Sequence, residues 1–155
     1  MVLQVEVDFK ELLRLGRGYG WKRPAACPGC QGGLWWHGFV PIYLEGIPGQ
    51  IFIRRLLCPH CGKVFRLRPA GFWPRFYHGI NRIRSALESR CAAGRWPSAV
   101  SRQAGGHWLR ALRRGVRMRL GLAAKVFAEG YEGLISFGWV PVSRSIRGVR
   151  IPQSG

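Results

Sequence analysis

Cys27-Pro28-Gly29-Cys30 and, after 27 intervening residues, Cys58-Pro59-His60-Cys61-Gly62 are the stretches whose reading decides how this chain folds. Each is a tight turn carrying two thiols. Two such turns supply the four tetrahedral sulfur ligands of a closed structural zinc site, with Zn–S near roughly 2.3 Å. The prolines restrict the turns, and Gly62 permits the positive φ that lets backbone N–H groups point at sulfur. The first pair has Gln31 at the place of Gly62, with Gly32 and Gly33 behind it to absorb the difference. A lone Cys-x-x-Cys is compatible with a redox dithiol or a disulfide. Two pairs flanking strand signals, in a chain whose opening residues Met1 to Glu6 lack the regions of an export signal, read instead as metal ligands. Cys27, Cys30, Cys58 and Cys61 are therefore the predicted ligands of one structural Zn2+. Four thiolates leave no open position for water, so such a metal folds the module and does not catalyse.

Between the pairs, Leu34 to Leu44 and Gln50 to Leu57 are rich in Trp, Phe, Ile, Val and Tyr, and Glu45-Gly46-Ile47-Pro48-Gly49 separates them, which is a hairpin signal. A third strand, Val64 to Arg68, leaves the second pair. The expectation for residues 25–70 is a zinc ribbon of three antiparallel strands. Upstream, Asp8 and Glu11 stand as a capping box before Leu12, Leu13 and Leu15, predicting a helix from about 9 to 18 within an N-terminal segment, 1–24, that packs on the ribbon.

Downstream of Pro69 and Pro74 the period changes. Ile80, Ile83, Leu87 and Cys91 form one helical stripe that Gly94 ends, which makes Cys91 a predicted core residue. A short element from Pro97 to Ala104 starts with proline at a plausible first helical position. Gly105-Gly106 then turns the chain into a helix from His107 to Arg119, with Trp108, Leu109, Leu112 and Val116 inward. Three helices over 71–120, the last two joined by a glycine turn, outline a helix-turn-helix-like unit. Residues 121–155 read as a helix around Leu122 to Phe127 and an extended or disordered tail from Val140. The predicted fold class is α+β.

The chain of 155 residues carries 25 Lys and Arg against 7 Asp and Glu, a net charge of +18. Such an imbalance opposes compaction unless a polyanion neutralises it. Residues 54–119 hold 16 of the basic groups and one acid, Glu88. Arg dominates, and its planar fork suits phosphates and guanine edges. An interfacial membrane helix is argued against by Pro69, Pro74, Gly79, Gly94, Pro97 and Gly105, which interrupt any continuous apolar face. No run of about 18 apolar residues spans a membrane, and the expected location is the cytoplasm, on the nucleoid if the host is bacterial.

The acids are too few for two-metal nuclease chemistry, which needs several carboxylates. Asp8 and Glu11 are explained as a cap, Glu45 by a turn and Glu88 by its basic helix; Glu129 and Glu132 share a helical face without a partnering Asp. A Ser-His-Asp set fails for the same shortage, and no phosphate-binding glycine loop with Lys is present. The expectation is a protein that is not an enzyme.

Taken together, Cys27-Pro28-Gly29-Cys30, Trp36-His37-Gly38, Ile53 to Phe65, Leu67 and Pro69 to Pro74 resemble the zinc-ribbon start of bacterial insertion-sequence transposases and related small proteins. In that family a helix-turn-helix that recognises element DNA follows the ribbon, and full-length members add a carboxylate-bearing nuclease domain. The resemblance covers about residues 25–120. The sequence departs from it in lacking that domain's acids, in a short turn before Trp108, and in placing Arg114 where an apolar residue is usual. The resemblance implies that helix 107–119 enters the major groove, with Arg110, Arg113, Arg114 and Arg117 on bases or phosphates, while Arg54, Arg55, Arg66 and Arg68 hold the backbone. Arg75 and Arg82 lie in the same basic stretch and join the predicted contacts. DNA is favoured over RNA. The RNA alternative rests on Trp35, Trp36, Phe72, Trp73, Phe76 and Tyr77, which are either stacking platforms for unpaired bases or, for most of them, core. A further alternative is an accessory subunit whose basic surface meets an acidic protein, such as a transposase or nuclease that it recruits.

Overall fold

The computed structural model describes residues 1–121, 127–145 and 149–151, and the chain divides into two units, Met1–Gly79 and Ile80–Ile151. Among the described residues the class is α+β, built on one mixed sheet and four α-helices.

The first unit is the sheet. Strands β1 (Val2–Val5), β2 (Trp35–Ile42), β3 (Ile51–Leu57) and β4 (Val64–Pro69) lie in the order β1-β4-β3-β2. The β2–β3 hairpin and the antiparallel β3–β4 pair are strand pairings expected over residues 25–70. The sheet is nevertheless four-stranded and mixed, not three-stranded and antiparallel, because β1 pairs in parallel with β4, from Val2 opposite Arg66 to Val5 opposite Pro69. The physical reason is the edge of β4, whose backbone groups need partners. The Arg66 N–H donates to the Met1 carbonyl at 3.0 Å and the Ala70 N–H to the Val5 carbonyl at 2.9 Å.

Asp8 caps helix α1 (Phe9–Leu15), its carboxylate accepting the N–H groups of Lys10 and Glu11 at 2.8 and 3.1 Å, and a short 3-10 turn over Gly16–Gly18 follows. Leu12 of α1 joins Leu3, Trp21, Leu34, Leu44, Ile51, Ile53, Leu56, Phe65 and Leu67 in the core, and Phe72 meets Phe9 edge-on at 6.3 Å. Residues 71–79, assigned from sequence to the helical region, belong to this unit: the Gln4 side-chain amide donates to the Phe72 carbonyl at 3.1 Å and the Arg68 guanidinium to that of Phe76 at 2.6 Å.

The second unit contains α2 (Ile80–Ala93), α3 (Arg102–Leu120) and α4 (Phe127–Ser136). Gly94, at φ 70°, ends α2 as expected. The predicted element from Pro97 and the Gly105-Gly106 turn are corrected: residues 102–120 form one 19-residue helix that runs through both glycines. Ser101 starts it, accepting the Ala104 N–H at 3.1 Å. Gly105 is a packing residue, since a Cβ there would come within 2.7 Å of the Trp96 ring. Glycines also bring α3 and α4 together, a Cβ on Gly130 lying 2.7 Å from Val116 and one on Gly133 lying 2.9 Å from Leu120.

Cys91 is exposed and not core, because the buried residues of α2, Ile83, Ala86 and Leu87, end one turn before it. Among the described residues from Val140 onward, Val140, Pro141 and Val142 are buried, not part of a free tail, and the Val140 N–H donates to the Val149 carbonyl at 2.8 Å. Of the helix expected over Leu122 to Phe127, only Phe127 falls within the described residues, where it opens α4; 146–148 and 152–155 also lie outside them. Among the described residues no helix is long and apolar enough to cross a membrane.

Candidate metal centre and basic surfaces

The two cysteine turns are built alike. In the first, the Gln31 N–H donates to the Cys27 carbonyl and the Cys27 N–H to the Gly32 carbonyl, both at 2.8 Å. In the second, the Gly62 N–H donates to the Cys58 carbonyl at 2.9 Å and the Cys58 N–H to the Lys63 carbonyl at 3.0 Å. Both turns close through a left-handed residue, Gln31 at φ 61° and Gly62 at φ 67°. A side chain other than glycine therefore occupies a position that favours glycine.

This shared geometry gathers all four predicted ligands. The sulfurs of Cys27, Cys30, Cys58 and Cys61 lie within 4.8 Å of one another, and all four are free thiols. Across the pairs, Cys27 Sγ is 3.7 Å from Cys61 Sγ and Cys30 Sγ is 3.5 Å from Cys58 Sγ. A regular tetrahedron with Zn–S of about 2.3 Å has edges of about 3.8 Å. A disulfide needs about 2.05 Å. The cluster could thus hold a metal ion, and its sulfur set and spacing fit tetrahedral zinc.

The backbone supports charge on these sulfurs. The Cys61 N–H lowers the Cys58 thiol to about 6 against desolvation, helped by the Cys30 and Cys61 thiols and the His60 N–H. The Gly32 N–H lowers Cys30 as well, but desolvation and the other three thiols outweigh it and push that thiol up to about 12. Thiolates brought this close repel one another unless a cation stands among them, which is the part a metal would play. Gly32 keeps the space open, since a Cβ there would stand 3.2 Å from His60 Cβ and 3.5 Å from Cys30 Sγ.

The predicted arginines divide by environment. On α3, Arg110, Arg113, Arg114 and Arg117 are exposed, and Arg102 joins them. At 3.6 residues per turn these five fall within about one third of the helix circumference. Gly105, Trp108, Ala111, Leu112 and Val116 fill the opposite side, buried. The helix contains no acid. Arg113, Arg114 and Arg117 form no ion pair with any described residue, while Arg110 bonds the His107 ring nitrogen at 3.1 Å. Arg119 falls on the other side, over the Trp139 ring at 4.5 Å. Arg102 was missed because the glycine pair was read as a turn; the signal was the spacing of 102, 106, 110, 113 and 117, which makes one stripe only if the helix continues.

Arg82 of α2 is exposed. Arg84, beside it, is neutralised by Glu88 at 3.0 Å and by Glu132 of α4 at 2.8 Å, which also holds its pKa above the ordinary value. Glu132, one of the two acids left over by sequence, therefore has an ionic partner.

On the sheet, Arg66 is exposed and sits directly opposite Arg55, whose Nε donates to the His37 carbonyl at 3.1 Å. Arg54 lies over the rings of Phe39 and Trp36 at 4.2 and 4.9 Å. Arg75 is exposed at φ 66°. Arg68 does not share this surface: it is 7% exposed and held by the Phe76 carbonyl, and burial, then Arg66, lowers it to about 10. The aromatic residues separate as well. Phe72 and Trp73 are buried, whereas Trp35, Trp36 and Tyr77 are exposed. No protein-family model, curated protein or solved structure matches the chain.

Proposed function

We propose that this chain is a zinc-thiolate protein that binds nucleic acid without catalysing a reaction on it, and that α3 is its contact with duplex DNA. The observation that carries the reading is the one-sided arginine face of α3. Four of its five exposed guanidinium groups were predicted contacts, their helix offers them no carboxylate, and the far side is fixed by a buried face. From Arg102 to Arg117 the stripe runs for about 22 Å at 1.5 Å per residue. Duplex DNA offers one phosphate charge per ≈ 1.7 Å of axis and a major groove about 12 Å wide, which admits a helix. The cysteine cluster supplies the scaffold and no chemistry, since four sulfur ligands leave zinc no open position. The ribbon cysteines support kinship with the DNA-binding part of insertion-sequence transposases; the glycine turn assumed for a helix-turn-helix does not, since α3 runs through it.

The test measures zinc per chain and affinity for a labelled duplex on the same preparation, with Arg113→Gln/Arg117→Gln as the variant. One zinc per chain is expected, with duplex binding at about 50 mM salt that the double change weakens. Protein without zinc, or a variant that binds as tightly as the parent, overturns the reading. Retention of an acidic protein at salt that abolishes duplex binding would favour the accessory-subunit alternative.

A further inference from the structure

Strand β2 forms an edge of the sheet and carries two tryptophans that folding leaves open, Trp35 and Trp36, while Phe39 is half-buried against the core. Trp36 pairs with Leu56, Phe39 with Arg54 and Pro41 with Phe52, so these residues share one face across β2 and β3, on which Leu56 is buried in the core. Guanidinium groups interleave with the rings on it. Arg54 lies over both Phe39 and Trp36, and Arg17 lies over Phe52 at 4.7 Å. Phe39 and Phe52 are half-buried beneath these cations, but Trp36 remains 39% exposed. The only acid between residues 25 and 53 is Glu45, and its carboxylate is engaged by the His78 ring and the Gly79 N–H at 3.1 and 3.2 Å.

This edge is poorly suited to a protein strand. The register of β2 shifts between Trp36 and Phe39, Gly38 sits at φ 80°, and Pro41 has no N–H to give. A bulge and a proline are devices that blunt an edge against strand addition. An open tryptophan ring beside cations, with no free carboxylate on the hairpin, matches a different occupant, whose flat bases stack on Trp36 and whose phosphates meet the guanidinium groups. Only unpaired bases offer such faces.

We infer that the β2–β3 face around Trp36, Phe39, Arg54 and Arg17 binds single-stranded nucleic acid by base stacking. The inference rests on the nucleic-acid reading above and adds a second site, of different specificity, to the duplex-binding helix.

The test uses the zinc-loaded full chain and three labelled probes: an oligothymidine of about ten nucleotides, an abasic oligomer of the same backbone and length, and a duplex. The parent protein should bind oligothymidine at least about tenfold more tightly than the abasic oligomer. Trp36→Ala should weaken oligothymidine binding by about five- to a hundredfold and leave duplex affinity unchanged, while Trp36→Phe restores most of the loss. Equal binding of the abasic and thymidine probes overturns the inference without reference to any variant. So does a Trp36→Ala protein of normal zinc content whose affinities are all unchanged or all reduced alike. Duplex binding without base-dependent single-strand binding sinks this inference alone, whereas failure to bind any probe in dilute buffer sinks the nucleic-acid reading with it.

Discussion

At Gln31 the first cysteine turn does with an ordinary side chain what the second does with Gly62. Both residues are left-handed and close the same hydrogen-bond pattern. A non-glycine residue there costs about 1–2 kcal/mol, part of which glycine returns through its greater freedom when unfolded. Gln31→Gly should therefore stabilise the zinc-loaded protein by about 0.5–1 kcal/mol, and Gly62→Ala should destabilise it by a similar amount. A Cβ on Gly62 meets nothing within 4 Å, so that variant isolates the backbone effect. Thermal unfolding measures both, and a Gln31→Gly protein that melts lower would show that the glutamine side chain contributes more than its backbone costs. Removing the metal acts on the same residues with larger effect. Without a cation, four sulfurs 3.5–3.7 Å apart across the pairs must be held as thiols or repel as thiolates, and structural zinc contributes folding free energy outright. Incubation with a chelator should lower the melting temperature and expose Trp21, packed in the same core as Cys27 and Cys58, and added zinc should restore both. A melting curve indifferent to chelator would remove the metal from the account.

At the scale of elements, the two glycines of α3 do opposite things one residue apart. Gly105 faces inward, where a Cβ would collide with the Trp96 ring at 2.7 Å; Gly106 lies on the arginine side, where the nearest atom is the flexible Arg110 guanidinium at 3.4 Å. Alanine gains about 1 kcal/mol of helix propensity at either site, while overpacking costs about 1–3 kcal/mol. Gly106→Ala should stabilise by up to about 1 kcal/mol and Gly105→Ala should destabilise, by as much as about 2 kcal/mol; denaturant unfolding would detect a reversal of that order. The same pair shows what was legible in sequence. The cysteine turns, the β2–β3 hairpin, the Asp8 cap and the Gly94 stop could be read because a few adjacent residues fix each of them. Gly105-Gly106 could not, because whether glycine breaks a helix or admits a neighbour depends on a tryptophan nine residues earlier. Strand β1 escaped for a related reason: four residues carry little alternation, and their pairing is decided by β4, more than sixty positions away. Arg68 looked like its exposed neighbour Arg66 until the 71–79 segment covered it. The cysteine cluster was legible nearly whole; the arginines were legible as charge, and only the course of α3 showed which of them share a face.

For the whole molecule, a net charge of +18 is a standing repulsion that either solvent ions or a polyanion must relieve. Which does so can be read from the salt dependence of binding, since each phosphate neutralised on duplex DNA releases counterions and contributes a slope of about −0.9 in log K against log salt. If all five exposed arginines of α3 reach phosphates, the slope attributable to that helix is about −4.5. The sheet arginines are a separate set, on the other unit. With six to ten contacts in total, affinity should fall by about 10³–10⁵ between 50 and 200 mM salt. The decisive comparison is among variants. Changing Arg113 and Arg117 to Gln should make the duplex slope shallower by about 2, whereas Arg84→Gln should leave it unchanged, because Glu88 and Glu132 already neutralise Arg84. A protein that bound DNA only through its overall charge would respond alike to the loss of any arginine. An equal change of slope per arginine lost, in Arg84→Gln and in the α3 double variant, would therefore show that no organised face exists on α3, and a slope that shifts only with the α3 arginines would locate the duplex on that helix.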